Sequence, residues 1–267
     1  MVCKQFSVSA SKLEGVDPYH ELQIMKTIQH EYPTPPPNLI PMLSSVEVDD
    51  SICIVLEYTQ CDSLSFALTC VPLTEEQVSS ITYQVLNALE LIHNAKIAHR
   101  DIKPSNFLFT MMGEVKLADF GVAIVQETTQ PSLVDFIGTI HYIPPEIALR
   151  TPYNHSCDIW SLGISVIEML LGSVPLETTP GLDILPLLKD PSYNPLHQIP
   201  FDSYQSLSAT AVDFITQCCT VDPTLRPDAA KLKTHPFVSK GKGKKSPLYP
   251  LCDQLAPLVK ANHFPQQ

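Results

Sequence analysis

The run Ala98-His99-Arg100-Asp101-Ile102-Lys103-Pro104-Ser105-Asn106, followed by Ala118-Asp119-Phe120-Gly121, gathers two carboxylates, an ammonium and an amide in one short span. Between them lie Phe107-Leu108-Phe109, a turn through Met111, Met112, Gly113 and Glu114, and Val115-Lys116-Leu117, which together read as two short strands and a hairpin. Pairing Thr110 with Val115 across that turn sets Asn106 opposite Asp119. Directly opposed residues stand roughly 5 Å apart at Cβ, so an amide oxygen and a carboxylate converge on one hard cation. Magnesium, which takes oxygen ligands and accompanies phosphates, suits that pair. Asp101 is placed to accept a proton from an attacking hydroxyl, and Lys103 to steady the charge on a transferring phosphate. The chemistry these groups suit is phosphoryl transfer.

The string resembles the catalytic loop and magnesium-binding motif of the eukaryotic protein kinase family. Lysine two residues after the aspartate is similar to the serine/threonine branch. Ala118-Asp119-Phe120-Gly121-Val122-Ala123 and Ile137-Gly138-Thr139 resemble the sterile-20 group. The resemblance implies an α+β, bilobal fold with a truncated β-rich small lobe over residues 1–58, a mainly helical large lobe over 59–237, and a C-terminal tail over 238–267. It also implies ATP and Mg2+ as cofactors and a protein hydroxyl as acceptor.

Composition agrees with a folded, water-soluble chain. With 267 residues, 44% of them apolar, it can bury a sizeable core, and a net charge of −11 argues against nucleic acid or an anionic membrane as partner. Lys240, Lys242, Lys244 and Lys245 form a local basic cluster among glycines, either a solvated linker or a docking signal. Eight cysteines show no metal-ligand spacing and read as reduced, mostly buried thiols. The most apolar helix, near Ile159 to Leu171, is interrupted by Ser161, Ser165 and Glu168, and no signal region opens the chain. A cytoplasmic or nuclear address follows.

Several elements must position the hairpin. Val2-Cys3-Lys4-Gln5-Phe6 reads as a strand. Asp17-Pro18 reads as a cap and first position of a helix carrying Glu21, Leu22, Met25 and Ile28. Under the resemblance Lys4 grips the nucleotide's α- and β-phosphates and Glu21 holds Lys4; the alternative is a surface lysine near a frayed terminus. Prolines 33, 35, 36 and 37 form a stiff connection, a rigid loop or a ligand for a proline-reading domain. The strand Ile52 to Tyr58 leads into a segment that resembles the family's hinge, which implies Leu56 as the gatekeeper and the backbones of Glu57 and Thr59 as the groups that meet adenine. The same resemblance implies that Cys3 and Leu108 line the adenine slot. Thr74 and Gln77 form a capping box for a helix to about Asn94. By the same resemblance Asp158 tethers the catalytic-loop backbone, Glu146 pairs with Arg226, and Thr139 bridges Asp101 and Lys103.

Two departures from the family stand out. No glycine-rich loop precedes the Lys4 strand, and Gly15 is the one glycine between Met1 and Met112. That leaves the strand as an exposed edge, which a partner, the tail or an N-terminal extension is expected to cover. Asp135 occupies a position often phosphorylated in sterile-20 kinases, either mimicking a phosphate toward Arg100 or standing as an ordinary exposed aspartate; Thr128, Thr129 and Ser132 are alternative phosphorylation sites. Two functions therefore stand side by side: a serine/threonine protein kinase, or a pseudokinase scaffold that keeps the fold and transfers little phosphate.

Overall fold

In a computed structural model, residues 1–13, 17–126, 136–239, 241 and 247–263 are described. Asp135, Thr128, Thr129, Ser132 and the lysines of the basic cluster lie outside them.

The small lobe is one antiparallel sheet with a helix on it. Strands β1 (Val2–Ser7), β2 (Met42–Val48) and β3 (Ser51–Leu56) assemble in the order β1-β3-β2, with α1 (Val8–Leu13) and α2 (His20–Glu31) between the first two strands. Lys4 pairs with Ile54 and Phe6 with Ile52, both isoleucines fully buried, so Lys4 and Phe6 share the inner face of the sheet. β1 is an edge strand, with Val2, Cys3 and Gln5 exposed. β2 escapes sequence reasoning because Leu43, Val46 and Val48 all face water, which blurs the apolar alternation of a half-buried strand.

The helix of Glu21 starts later than its sequence signal. Asp17 Oδ1 accepts from the Tyr19 amide at 2.9 Å, an Asx turn two residues long, and α2 begins at His20 without a side-chain cap. The aspartate therefore makes the turn into the helix, and Pro18 lies in that turn.

The large lobe follows as α3 (Leu64–Cys70), α4 (Glu75–Asn94), β4 (Ile97–Ala98), β5 (Phe107–Phe109), β6 (Val115–Leu117), β7 (Ile124–Val125), α5 (Pro145–Ala148), α6 (Ser156–Leu171), α7 (Gly181–Leu188), α8 (Phe201–Gln205), α9 (Ala209–Cys218), α10 (Ala229–Leu232), α11 (Pro236–Ser239) and α12 (Tyr249–His263). The Thr74 capping box forms as read: its hydroxyl accepts from the Gln77 amide and the Gln77 side chain from the Thr74 amide. Apolar residues Val78, Ile81, Val85, Leu89 and Ile92 line the buried face of α4. α6 is buried over nearly its whole length and serves as the central post, with α4 and α9 packed on it.

The segment after residue 237 is not a detached tail. Leu248, Leu251, Cys252 and Leu255 are buried in the common core, at the three- and four-residue spacing of one helix face. Gly241 approaches the α4 backbone so closely that a Cβ there would stand 2.5 Å from Ser80 Cα. Among the described residues no helix is long and apolar enough to cross a membrane.

Candidate active site

The hairpin forms one residue out of the expected register. Phe107 pairs with Leu117 and Phe109 with Val115, and at the open end the Ala118 amide donates to Asn106 at 3.0 Å. Thr110 therefore faces Glu114, and Asn106 faces Ala118 instead of Asp119. The reason is the turn: Gly113 adopts φ 69° and donates to Thr110, closing a three-residue loop of the type that ends in a left-handed residue. Asp119 itself is left-handed, φ 66°, at the point where the chain leaves the strand. The opposed-pair geometry expected for Asn106 and Asp119 is thus absent, and each is set by its own local turn. Asn106 ends the 3-10 turn Pro104–Asn106 and donates its amide to the Asp101 carbonyl at 2.8 Å and carboxylate at 3.1 Å. Its Oδ1 is left as an acceptor.

Asp101 stands at the centre of a polar chain. Its Oδ1 accepts from Thr139 Oγ1 at 2.8 Å, Lys103 Nζ donates to the same Thr139 oxygen at 2.7 Å, and Lys103 lies 2.8 Å from Asp101 Oδ2. The loop carrying these groups is tied from below. Asp158, fully buried on α6, accepts from the amides of His99 and Arg100 at 2.9 and 2.8 Å and from His93 Nε2 at 2.9 Å. Burial alone would favour its protonated form, yet the His93 hydrogen bond and the surrounding donors hold its carboxyl below the ordinary range. His99 is driven the other way: burial holds it below the usual imidazole pKa, and its Nε2 meets the Ala118 carbonyl at 3.1 Å. Arg100, φ 67°, sends its Nε to the Val122 carbonyl at 2.7 Å and Nη1 to the Tyr153 hydroxyl at 3.3 Å.

Lys4 links the two lobes. Its Nζ is 2.6 Å from Glu21 Oε2 and 2.7 Å from Asp119 Oδ1. Burial opposes the charge on Lys4, but Glu21 and Asp119 outweigh it and raise the ammonium above its ordinary pKa. Asp119 shows the converse: burial favours the acid, while the Lys4 hydrogen bond and charge hold its carboxyl below the usual range.

Cys3 is misplaced by sequence reasoning. Neighbouring residues of a strand face opposite sides, so with Lys4 turned inward Cys3 points outward. There it is joined by a disulfide to Cys53 on β3, with Cα atoms 6.0 Å apart. The residue sharing the inner face with Lys4 is Val2. The expectation of eight reduced thiols fails for this pair; the other six are free. Leu108, between buried Phe107 and Phe109, is half-buried on the opposite face of its strand. In the hinge, the Glu57 amide is engaged by the Pro41 carbonyl at 3.2 Å, whereas the Thr59 amide has no partner among the described residues. Leu56 ends β3.

The remaining expected contacts are in place. Arg226 Nη1 and Nη2 reach the two Glu146 oxygens at 2.8 and 3.2 Å, both side chains being buried. Sequence reasoning assigned no role to His93, Tyr153 or Gly138. Gly138 has φ +100°, and a Cβ there would stand 2.6 Å from the Arg100 carbonyl. Its signal was in the sequence, as the glycine just before Thr139.

Asn106 and Asp119 supply an amide oxygen and a carboxylate, hard donors that suit Mg2+ with phosphate and water completing the shell. Among the described residues no cluster of three or more His, Cys, Asp or Glu forms a self-sufficient metal site. A metal held by two protein oxygens and a phosphate fits that donor set.

The protein kinase domain family matches residues 1–238. The human serine/threonine-protein kinase PAK 4 is 34% identical over 239 residues, 88% of this chain and 38% of its own length. The Dictyostelium discoideum serine/threonine-protein kinase pakG is 36% identical over 224 residues, 82% of this chain and 18% of its own length. The Caenorhabditis elegans serine/threonine-protein kinase pak-2 is 32% identical over 237 residues, 89% of this chain and 43% of its own length. This chain thus spans less than half of each of these relatives. With the catalytic-loop, ion-pair and large-lobe geometry above, the family match establishes that the chain belongs to the protein kinase domain family, and it is similar over most of its length to these serine/threonine-protein kinases.

Proposed function

We propose that the chain is an ATP-dependent serine/threonine protein kinase acting on protein hydroxyls. The observation that carries this reading is Lys4, a small-lobe ammonium 2.6 Å from Glu21 and 2.7 Å from Asp119. That contact brings a phosphate-binding cation to the carboxylate that would hold the metal. In this reading Lys4 holds the α- and β-phosphates and Glu21 fixes it there. The hinge backbone at Glu57 and Thr59 takes adenine between Val2 and Leu108, with Leu56 at the back of the pocket. Asn106 and Asp119 hold Mg2+, which supplies charge neutralisation at the phosphates. Asp101 accepts the proton of the attacking hydroxyl, and Thr139 positions both Asp101 and Lys103, whose charge meets the transferring group.

A scaffold without transfer would need the fold but not the Lys103-Thr139-Asp101 chain, and that intact chain favours the enzyme. The free edge of β1 is read as a surface covered by a partner or by chain preceding Met1 in a longer protein, and the site of action as the cytoplasm, with the nucleus as alternative. Equilibrium binding of ATP with and without Mg2+ tests the nucleotide site. The wild type should bind with a magnesium-dependent affinity, Asp119→Asn should lose the magnesium dependence, and Lys4→Met should weaken binding. A wild-type chain that binds no nucleotide removes the reading; one that binds without transferring returns it to the scaffold.

A further inference from the structure

Three sulfurs meet where α12 packs on the large lobe. Cys61, in the turn after the hinge, and Cys252, on α12, are both fully buried. Cys61 Sγ lies 3.4 Å from Met111 Sδ and 3.7 Å from the Cys252 carbonyl, and the Cys252 thiol hydrogen-bonds to the Cys61 sulfur. Residues 61, 111 and 252 are far apart in the chain, so no ligand spacing marks them in the sequence.

The backbone around them is held by its own hydrogen bonds. The Cys61 amide donates to the Phe109 carbonyl at 3.2 Å and the Phe109 amide to the Asp62 carbonyl at 2.9 Å, which ties the Cys61 turn to β5. Met111 follows β5 in the hairpin turn, and its amide donates to Gln60 Oε1 at 3.3 Å. On α12 the Cys252 amide donates to the Leu248 carbonyl at 2.9 Å, while Leu251 and Leu255 keep that face in the core. Three sulfurs in a plane around one metal, at bonds of about 2.3 Å, stand about 4 Å from one another. The flexible thioether of Met111 can open by the small distance this requires.

The donor set selects the metal. Thiolate and thioether are soft ligands and suit Cu(I). Zinc takes Cys, His and carboxylate in fours, and Mg2+ takes oxygen, so neither matches two thiols and a thioether. Met111 also lines a cavity of about 580 Å3, together with Tyr58, Ala256, Val259 and Lys260, and this gives the ion a way in. Ala256 stands one helical turn beyond Cys252. Two thiolates around Cu(I) leave one negative charge, and Lys260 supplies a cation on that lining.

We propose that Cys61, Met111 and Cys252 bind one Cu(I) ion, which fastens α12 to the turn after the hinge and to the turn of the β5–β6 hairpin. Binding releases the two thiol protons to solvent.

The test uses the whole chain with its disulfide intact, ascorbate to keep copper monovalent, and the coloured Cu(I)–bicinchoninate complex as the source of the ion. The chain should withdraw one Cu(I) per molecule, and X-ray absorption at the copper edge should show three sulfur neighbours. With methyl-13C methionine, Cu(I) should move the Met111 signal, identified by its absence in Met111→Leu, and Zn2+ should leave it in place. Met111→Leu, a swap that cores tolerate, should weaken Cu(I) affinity by at least about tenfold, the least that losing even an outer-shell partner costs. Cys252→Ala should remove the site; the methyl signal of the unaltered chain decides the matter even if that variant does not fold. Hydrogen exchange of the α12 amides should slow by about tenfold on Cu(I) binding. No copper withdrawn, copper bound with the Met111 signal unmoved, an equal Met111 shift with Zn2+, or wild-type affinity in Met111→Leu overturns the site. Binding without slower α12 exchange overturns the fastening.

Discussion

Arg100 and Asp119 each hold a left-handed backbone, a conformation that costs a non-glycine residue about 1–3 kcal/mol. Asp158 secures the first by accepting the Arg100 amide, and the turn after β6 imposes the second. Gly138 completes this set, since it lets the segment before Thr139 lie against the Arg100 carbonyl. Gly138→Ala should therefore lower stability by about 1–3 kcal/mol and displace Thr139 from Asp101. Urea denaturation checks the first effect, and a fall in turnover at unchanged nucleotide affinity checks the second. Arg226→Met should cost about 3–5 kcal/mol, because it strands the buried Glu146 carboxylate; adding Glu146→Leu should recover much of that loss. His155 gives a pH signature. Burial and the neighbouring His93, whose ring lies 4.6 Å away, push it down to about 4. An unfolded histidine titrates near ~6.5, so between that value and about 4 the unfolded chain binds the extra proton. Stability should fall as pH drops through that window, and thermal melts of His155→Gln should show a shallower fall than those of the wild type. Parallel curves would refute the assignment.

Among the elements, α4 was the most legible, since its capping box and apolar stripe are both local sequence signals that tertiary packing reinforces. Thr74→Ala should destabilise by about 1 kcal/mol, read from a shift in the urea midpoint. The β5–β6 hairpin was legible in existence but not in register: its apolar runs mark the strands, while the left-handed Gly113 decides a three-residue loop. A one-residue slip turns every side chain to the other face, and so the metal ligands could not be placed by opposition. β2 was hidden because three of its four apolar residues, Leu43, Val46 and Val48, face outward. The N-terminal start of α2 misled because Asp before Pro signals a cap and an Asx turn alike, and only the Tyr19 amide distinguishes them. Cys3 was misassigned through strand parity, which Lys4 alone could have settled.

The molecule as a whole joins a thin small lobe to a deep helical one through the hinge after Leu56 and through Lys4. The large lobe was readable because its buried pairs, Glu146 with Arg226 and Asp158 with the loop amides, are single residues at recognisable motifs. The packing of α12 was not, since an amphipathic stripe names a buried face without naming its neighbour. Leu255 is fully buried there, and Leu255→Ala should cost about 2–5 kcal/mol if α12 belongs to the cooperative unit. A second, earlier unfolding transition would instead mark it as separate. Phosphoryl transfer from MgATP to a serine/threonine peptide library tests the chemistry at Asp101 most directly. The wild type should yield phosphoserine or phosphothreonine, and Asp101→Asn should reduce the rate by at least about a hundredfold while binding MgATP equally well. A wild-type chain that binds MgATP yet transfers no faster than Asp101→Asn would contradict it.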